Sequence, residues 1–175
     1  DNLEDIHDLL GSQYTQGTYT SSNEDLYSGA QAMFYHSSIV TEITSGHDDI
    51  YTGAGRRSDR WQIRLAGYDT PPVDFYIYSS HLKASPGSKN QADRLFGIEQ
   101  LLENAQELPE GSRIIYAGDY NIYNNSEPAY EALVAPGPVA AIDPYGNGSW
   151  SGEGNAIKHT QSPRDASGGG LVGGS

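Results

Sequence analysis

The 175 residues contain no cysteine, which excludes disulfides and thiolate metal sites alike. Basic residues are few: 10 Lys and Arg stand against 23 Asp and Glu, a formal net charge of −13. A surface of that sign repels polyanions at long range, which disfavours sequence-independent binding of duplex nucleic acid through a broad basic patch. An enzyme that meets phosphate at a bound cation is not disfavoured, because the cation supplies the attraction. Apolar runs are short. None approaches the ~20 residues of a membrane helix, so no membrane span is expected. Hydrophobic residues make up only 36%, and part of the shortage is local, since the last ten residues are nearly all Gly, Ser and other small residues. The 13 Tyr offset it, because each buries a large ring while keeping a polar tip, which suits strands with one wetted face.

The length fits one domain. We place it at 1–164, followed by a flexible Gly/Ser-rich tail at 165–175. The chain opens at Asp1 with neither Met nor a signal-like stretch, and is expected to be a trimmed or partial product, any signal lying upstream.

Leu3, Ile6, Leu9 and Leu10 recur at helical spacing ahead of Gly11, which predicts a short helix over Asn2–Leu10. Strand is expected over Ala32–Tyr35 and Ser38–Ile43, a turn at Ser45–Asp49, and a half-buried strand at Trp61–Leu65. Pro71-Pro72 breaks the chain before a β-rich run from Val73 to Leu82. The clearest helix spans about Asn90 to Ala105, with Leu95, Ile98, Leu101, Leu102 and Ala105 on one face. Arg113–Ala117 is a continuous apolar run, as in a strand buried on both faces. Strand, long helix and buried strand together predict a β–α–β unit and an α/β core. A further helix is expected over Glu127–Val134, with Ser126 as its N-cap and Pro128 at an early position.

Chemistry concentrates in two places. The apolar strand runs into Gly118-Asp119-Tyr120-Asn121, an acid and an amide where open α/β sheets collect catalytic groups, at strand carboxyl ends. Asp119 can take a proton from water or hold a cation, and Asn121 can donate to a phosphate oxygen without adding charge. On these four residues alone a polar turn fits equally well. The Phe75 strand ends in Ser79-Ser80-His81-Leu82-Lys83, where His81 can donate a proton or stabilise developing charge. A lone His is more often a structural hydrogen-bonder, and Lys83 is read as solvated.

Taken together, the strand ending in His81-Leu82-Lys83-Ala84, the long helix and the strand ending in Gly118–Asn121 resemble the endonuclease/exonuclease/phosphatase superfamily, the fold group of deoxyribonuclease I. Asn124–Tyr130 and Ile157–Pro163 extend the resemblance over nearly the whole chain, to a bacterial and often secreted branch. It implies a four-layer αββα sandwich of two mixed sheets, here incomplete. It also implies divalent-metal-assisted hydrolysis of a phosphate ester, expected to be a phosphodiester, with nucleic acid among the possible substrates. By the same analogy Asp119 orients or deprotonates the attacking water, Asn121 holds a phosphate oxygen and His81 stabilises the transition state. Asp119 and Asn121 are the expected ligands of Mg²⁺ or Mn²⁺, with Ca²⁺ as a third option. Arg64, His159 and Thr160 are candidate substrate contacts, although for Arg64, as for Arg60 and Arg94, a surface ion pair is the commoner fate. Asp48-Asp49 and Glu24-Asp25 can hold Ca²⁺ or simply be solvated. Family members carry a metal-binding Glu upstream and an Asp-His pair downstream of this stretch, so the chain is expected to hold part of a site. The alternative is a secreted module of the same fold that binds a ligand or cation without catalysis.

Overall fold

The computed structural model describes residues 2–20, 31–70, 72–146, 148, 155, 161–165 and 171–173. Helix α1 spans Asn2–Leu10 and ends at Gly11, whose φ of 85° lets its N–H turn back to the His7 carbonyl. Strands β1 (Tyr14–Gln16) and β2 (Phe34–His36) form a two-stranded antiparallel ribbon. The main sheet comprises β3 (Val40–Glu42), β4 (Asp48–Gly53), β5 (Arg56–Asp69), β6 (Pro72–His81) and β7 (Arg113–Asp119). Its order is β3-β5-β6-β7, with β4 sharing the β5 edge that β3 occupies further along. Only β6 and β7 run parallel, joined through helix α2 (Ser88–Gln106) as the β–α–β reading requires. Helix α3 (Pro128–Val134) follows the loop beyond β7.

The core lies between one face of this sheet and the helices. Tyr76, Tyr78 and Leu82 meet Ile98, Leu101 and Ala105 of α2 and Ala129, Tyr130 and Leu133 of α3. Across the opposite face, Trp61 is buried and its Nε1 donates to the Thr18 carbonyl at 2.8 Å, while Ser79 donates to Gln31 at 2.7 Å. The extension of the β1–β2 ribbon thus lies over that second face.

Three expectations are corrected. Strand β7 is not buried on both faces: Ile114 and Tyr116 pack on the helices, whereas Ile115 and Ala117 face outward on a strand that ends the described sheet. The turn at 45–49 is a single 3-10 turn, Thr44–Gly46, and Asp48-Asp49 already belong to β4. Ser126 is not the N-cap of helix α3: Glu127 holds that position without a side-chain capping bond, and the Ser126 hydroxyl donates to Asn124 instead. Strands β8 (Gln161–Asp165) and β9 (Leu171–Gly173) form a further antiparallel pair. Among the described residues, no helix is long and apolar enough to cross a membrane.

Candidate active site

Parallel pairing of β6 with β7 brings Ser80 opposite Gly118 and His81 opposite Asp119, at the carboxyl end of both strands. The two groups named from sequence are therefore neighbours on one sheet face. His81 Nε2 lies 3.9 Å from Asp119 Oδ2, and both side chains are about half exposed. That gap is too long for a direct hydrogen bond and is of a size that one oxygen atom hydrogen-bonded to both groups would span.

The loops beyond the strands are cross-tied. Leu82 N–H donates to the Asp119 carbonyl at 3.0 Å, and Asn121 Nδ2 donates to the Leu82 carbonyl at 3.1 Å. Asn121 N–H in turn donates to Asp119 Oδ1 at 3.0 Å. This closed arrangement holds Asn121 at a φ of 52°, a left-handed conformation that Asn tolerates better than most residues. One amide hydrogen of Asn121 is thereby committed to the scaffold, and its side chain is buried beside the His81–Asp119 gap rather than projecting into solvent.

The His81 imidazole is held below its usual pKa, first by partial burial and then by the positive charge of Arg56, against the opposing pull of Asp119. Arg56 also donates to the His81 carbonyl at 3.3 Å. Arg57 is the residue sequence reasoning missed. It sits one position before Ser58, the partner of Ser80, so side-chain alternation turns it to the face of His81 and Asp119. Its guanidinium pairs with Asp49 at 3.1 Å and lies 5.8 Å over the Tyr51 ring. The available signal was Gly53-Ala54-Gly55, a hairpin turn that makes the following arginines the start of a strand.

Other candidates go elsewhere. Arg64 lies opposite Asp74 near the far end of β6 and clasps it with two bonds of 2.7 and 2.9 Å. Seven residues at ~3.3 Å each, roughly 23 Å, separate Asp74 from His81, so Arg64 stays outside the site. Arg60 supports α2, donating to Asn104 at 2.6 Å. Arg94 is not a surface residue: it is fully buried against Glu127. Asp48 and Asp49 face opposite sides of β4, the first accepting from Asn104 and the second from Arg57, so they do not form a joint cation site. His159, Thr160, Glu24 and Asp25 lie outside the described residues.

Asp59 adds a titratable group near this face. Burial, then the charge of Asp49 and a hydrogen bond with it, pushes its pKa from 3.8 up to about 8. His47 Nε2 stands 4.0 Å away, and neither that nitrogen nor Asp59 Oδ2 has a hydrogen-bond partner. A carboxyl whose folded pKa exceeds its unfolded one contributes stability below the unfolded value and loses it as pH rises through the folded one. The melting temperature is therefore expected to decline from about pH 4 to above 8. Asp59→Asn should flatten the decline and, by about pH 9, be the more stable protein by on the order of 2–4 kcal/mol. Parallel melting curves for the two proteins from about pH 5 to 9 would refute this.

Comparison with protein-family models gives no match, and no curated protein sequence matches. Solved structures do. The human Nocturnin catalytic domain with bound sulfate superposes with a TM-score of 0.59 at 18% identity, over 77% of this chain and 52% of that one. An endonuclease/exonuclease/phosphatase family protein from Bacteroides thetaiotaomicron gives 0.58 at 15%, over 76% and 49%. The fold is that of the endonuclease/exonuclease/phosphatase superfamily. A humanized D. rerio TDP2 shares it, with a TM-score of 0.53 at 19% identity over 77% and 49%. This chain spans about half the length of each of these three structures.

Whether a divalent metal suits the site is a question of donor chemistry. Asp119 offers an exposed hard oxygen, which Mg²⁺ or Mn²⁺ accepts, and Mg²⁺ is commonly held by one or two carboxylates plus waters and substrate phosphate. Among the described residues no three His, Asp or Glu side chains converge to hold an ion. Asp119 is the described residue of this site whose exposed carboxylate could contribute to holding such an ion.

Proposed function

We propose that this chain carries part of a metal-dependent phosphodiesterase centre, in which Asp119 acts on the attacking water and His81 on a neighbouring phosphate oxygen. The observation that carries this reading is the pairing of His81 with Asp119 across the parallel β6–β7 ladder, 3.9 Å apart and open to solvent. The fold shared with a sulfate-bound catalytic domain and with TDP2 supports it.

In this reading Asp119 orients a water and takes its proton as the oxygen attacks phosphorus, while the P–O bond to one ester alcohol breaks and the departing alkoxide takes a proton from solvent. His81, mainly neutral because its pKa is held low, donates a hydrogen bond to the oxygen that gains charge. Asn121, pinned by Leu82, keeps the Asp119 carboxylate turned toward the gap. Arg57, on the same face, contributes positive charge that draws the anion toward this end of an otherwise acidic protein. A bound divalent ion supplies Lewis-acid stabilisation of the developing charge. The test is turnover of bis(p-nitrophenyl) phosphate by the protein containing this chain, with and without Mn²⁺. We expect metal-stimulated hydrolysis that His81→Ala reduces by ~10²-fold or more. Metal-independent turnover, or an undiminished rate in the variant, would sink the reading.

A further inference from the structure

A buried ion pair beneath the site has a role that stability alone does not explain. Arg94 lies in α2, the crossover between the two strands that present His81 and Asp119, and both it and Glu127 are sealed from solvent. Arg94 Nε donates to Glu127 Oε2 at 2.9 Å, and Nη2 approaches the same oxygen at 2.8 Å. On its other side, Nη1 donates to the carbonyls of Lys83 and Ser85 at 2.9 and 3.0 Å. Glu127 Oε1 accepts the N–H of Tyr123 at 2.9 Å, and the guanidinium lies 5.2 Å over the Tyr123 ring. One rigid fork therefore grips the chain two residues beyond His81 and, through Glu127 and Tyr123, two residues beyond Asn121.

Buried pairs of this kind are weak net stabilisers, because desolvating both charges offsets their attraction. What a planar guanidinium provides that an apolar contact does not is direction: its donors leave at fixed angles and fix the groups that accept them. We propose that Arg94 and Glu127 are positioning residues, holding the two loops in the register that keeps His81, Asp119 and Asn121 convergent. The proposal rests on the phosphodiesterase reading for its catalytic consequence, but not for its structural one.

The experiment compares Arg94→Lys and Glu127→Gln with Asn104→Ala. The last removes three polar contacts, to Arg60, Tyr78 and Asp48, on the same helix but away from the loops. Amide hydrogen exchange by NMR is the readout independent of activity. The first two variants should speed exchange at Leu82 and Asn121 at least tenfold while sparing Tyr78, whereas Asn104→Ala should not single out those two amides. Turnover of bis(p-nitrophenyl) phosphate with Mn²⁺ should fall ~10- to 100-fold in kcat, since small misplacements carry penalties of that order, with KM little changed. Exchange that rises uniformly along the chain, or that leaves Leu82 and Asn121 protected, overturns the proposal. An inactive wild type counts against the phosphodiesterase reading instead, and the selective exchange pattern still decides the positioning role.

Discussion

Asp119→Ala is expected to slow phosphodiester turnover by ~10²–10⁴-fold while leaving the melting temperature within a few degrees of wild type. The two halves of that expectation have separate causes. The Asp119 side chain is more than half exposed, so its removal leaves no cavity and no orphaned buried charge. The structural loss is the acceptor for Asn121 N–H, one part-buried hydrogen bond worth about 1 kcal/mol. The chemical loss is larger, because no other carboxylate among the described residues pairs with His81. Asp119→Asn separates the roles: it keeps an oxygen for Asn121 N–H but has neither the charge to hold a cation nor the basicity to take a proton. Both variants should therefore be equally inactive, and the Asn variant should melt closer to wild type. Steady-state kinetics across a Mn²⁺ titration reads the outcome. An Asn variant within about threefold of wild-type kcat would mean that Asp119 only shapes the loop.

The sequence exposed what repeats locally and hid what depends on distant partners. Helix α2 was readable because Ile98, Leu101, Leu102 and Ala105 recur at helical spacing, and β7 because its apolar run ends abruptly at Gly118. His81 and Asp119 each mark the end of a strand, and a parallel crossover brings such ends together, so their meeting followed from topology. Arg94 was misread as a surface charge, since Arg is seldom buried without a partner and Glu127 lies 33 residues on. A clue was present: Arg94 shares the stripe of Ile98, Leu101 and Ala105, where a solvated residue has no place. Strand β4 was hidden by its polar start at Asp48-Asp49, residues that serve as turn formers until tertiary pairing with β5 overrides them. The full length of β5, Arg56–Asp69, escaped for the same reason, because only its centre alternates cleanly.

Gly118→Ala is expected to be the most damaging single methyl among the described glycines, costing more than ~4 kcal/mol or preventing folding. Gly118 holds a φ of 122°, and a Cβ there would stand 2.1 Å from the Ser80 carbonyl oxygen and 2.6 Å from the Ser80 nitrogen. Those atoms are backbone of the neighbouring strand, so no rotamer change relieves the contact; β7 must move away from β6. Ser80 and Gly118 are the register pair immediately before His81 and Asp119, so the separation opens where the site forms. Gly111→Ala is the control, because Gly111 has a φ of 78° but nothing within reach of an added methyl. It incurs only the left-handed backbone penalty of ~1–2 kcal/mol. Chemical denaturation of both variants isolates the contact term, and in any folded Gly118→Ala protein the kcat loss should match or exceed that of His81→Ala. Equal stability losses at the two glycines would mean that β6 and β7 can spread without penalty, and that the 3.9 Å spacing of His81 and Asp119 is not held by their backbones.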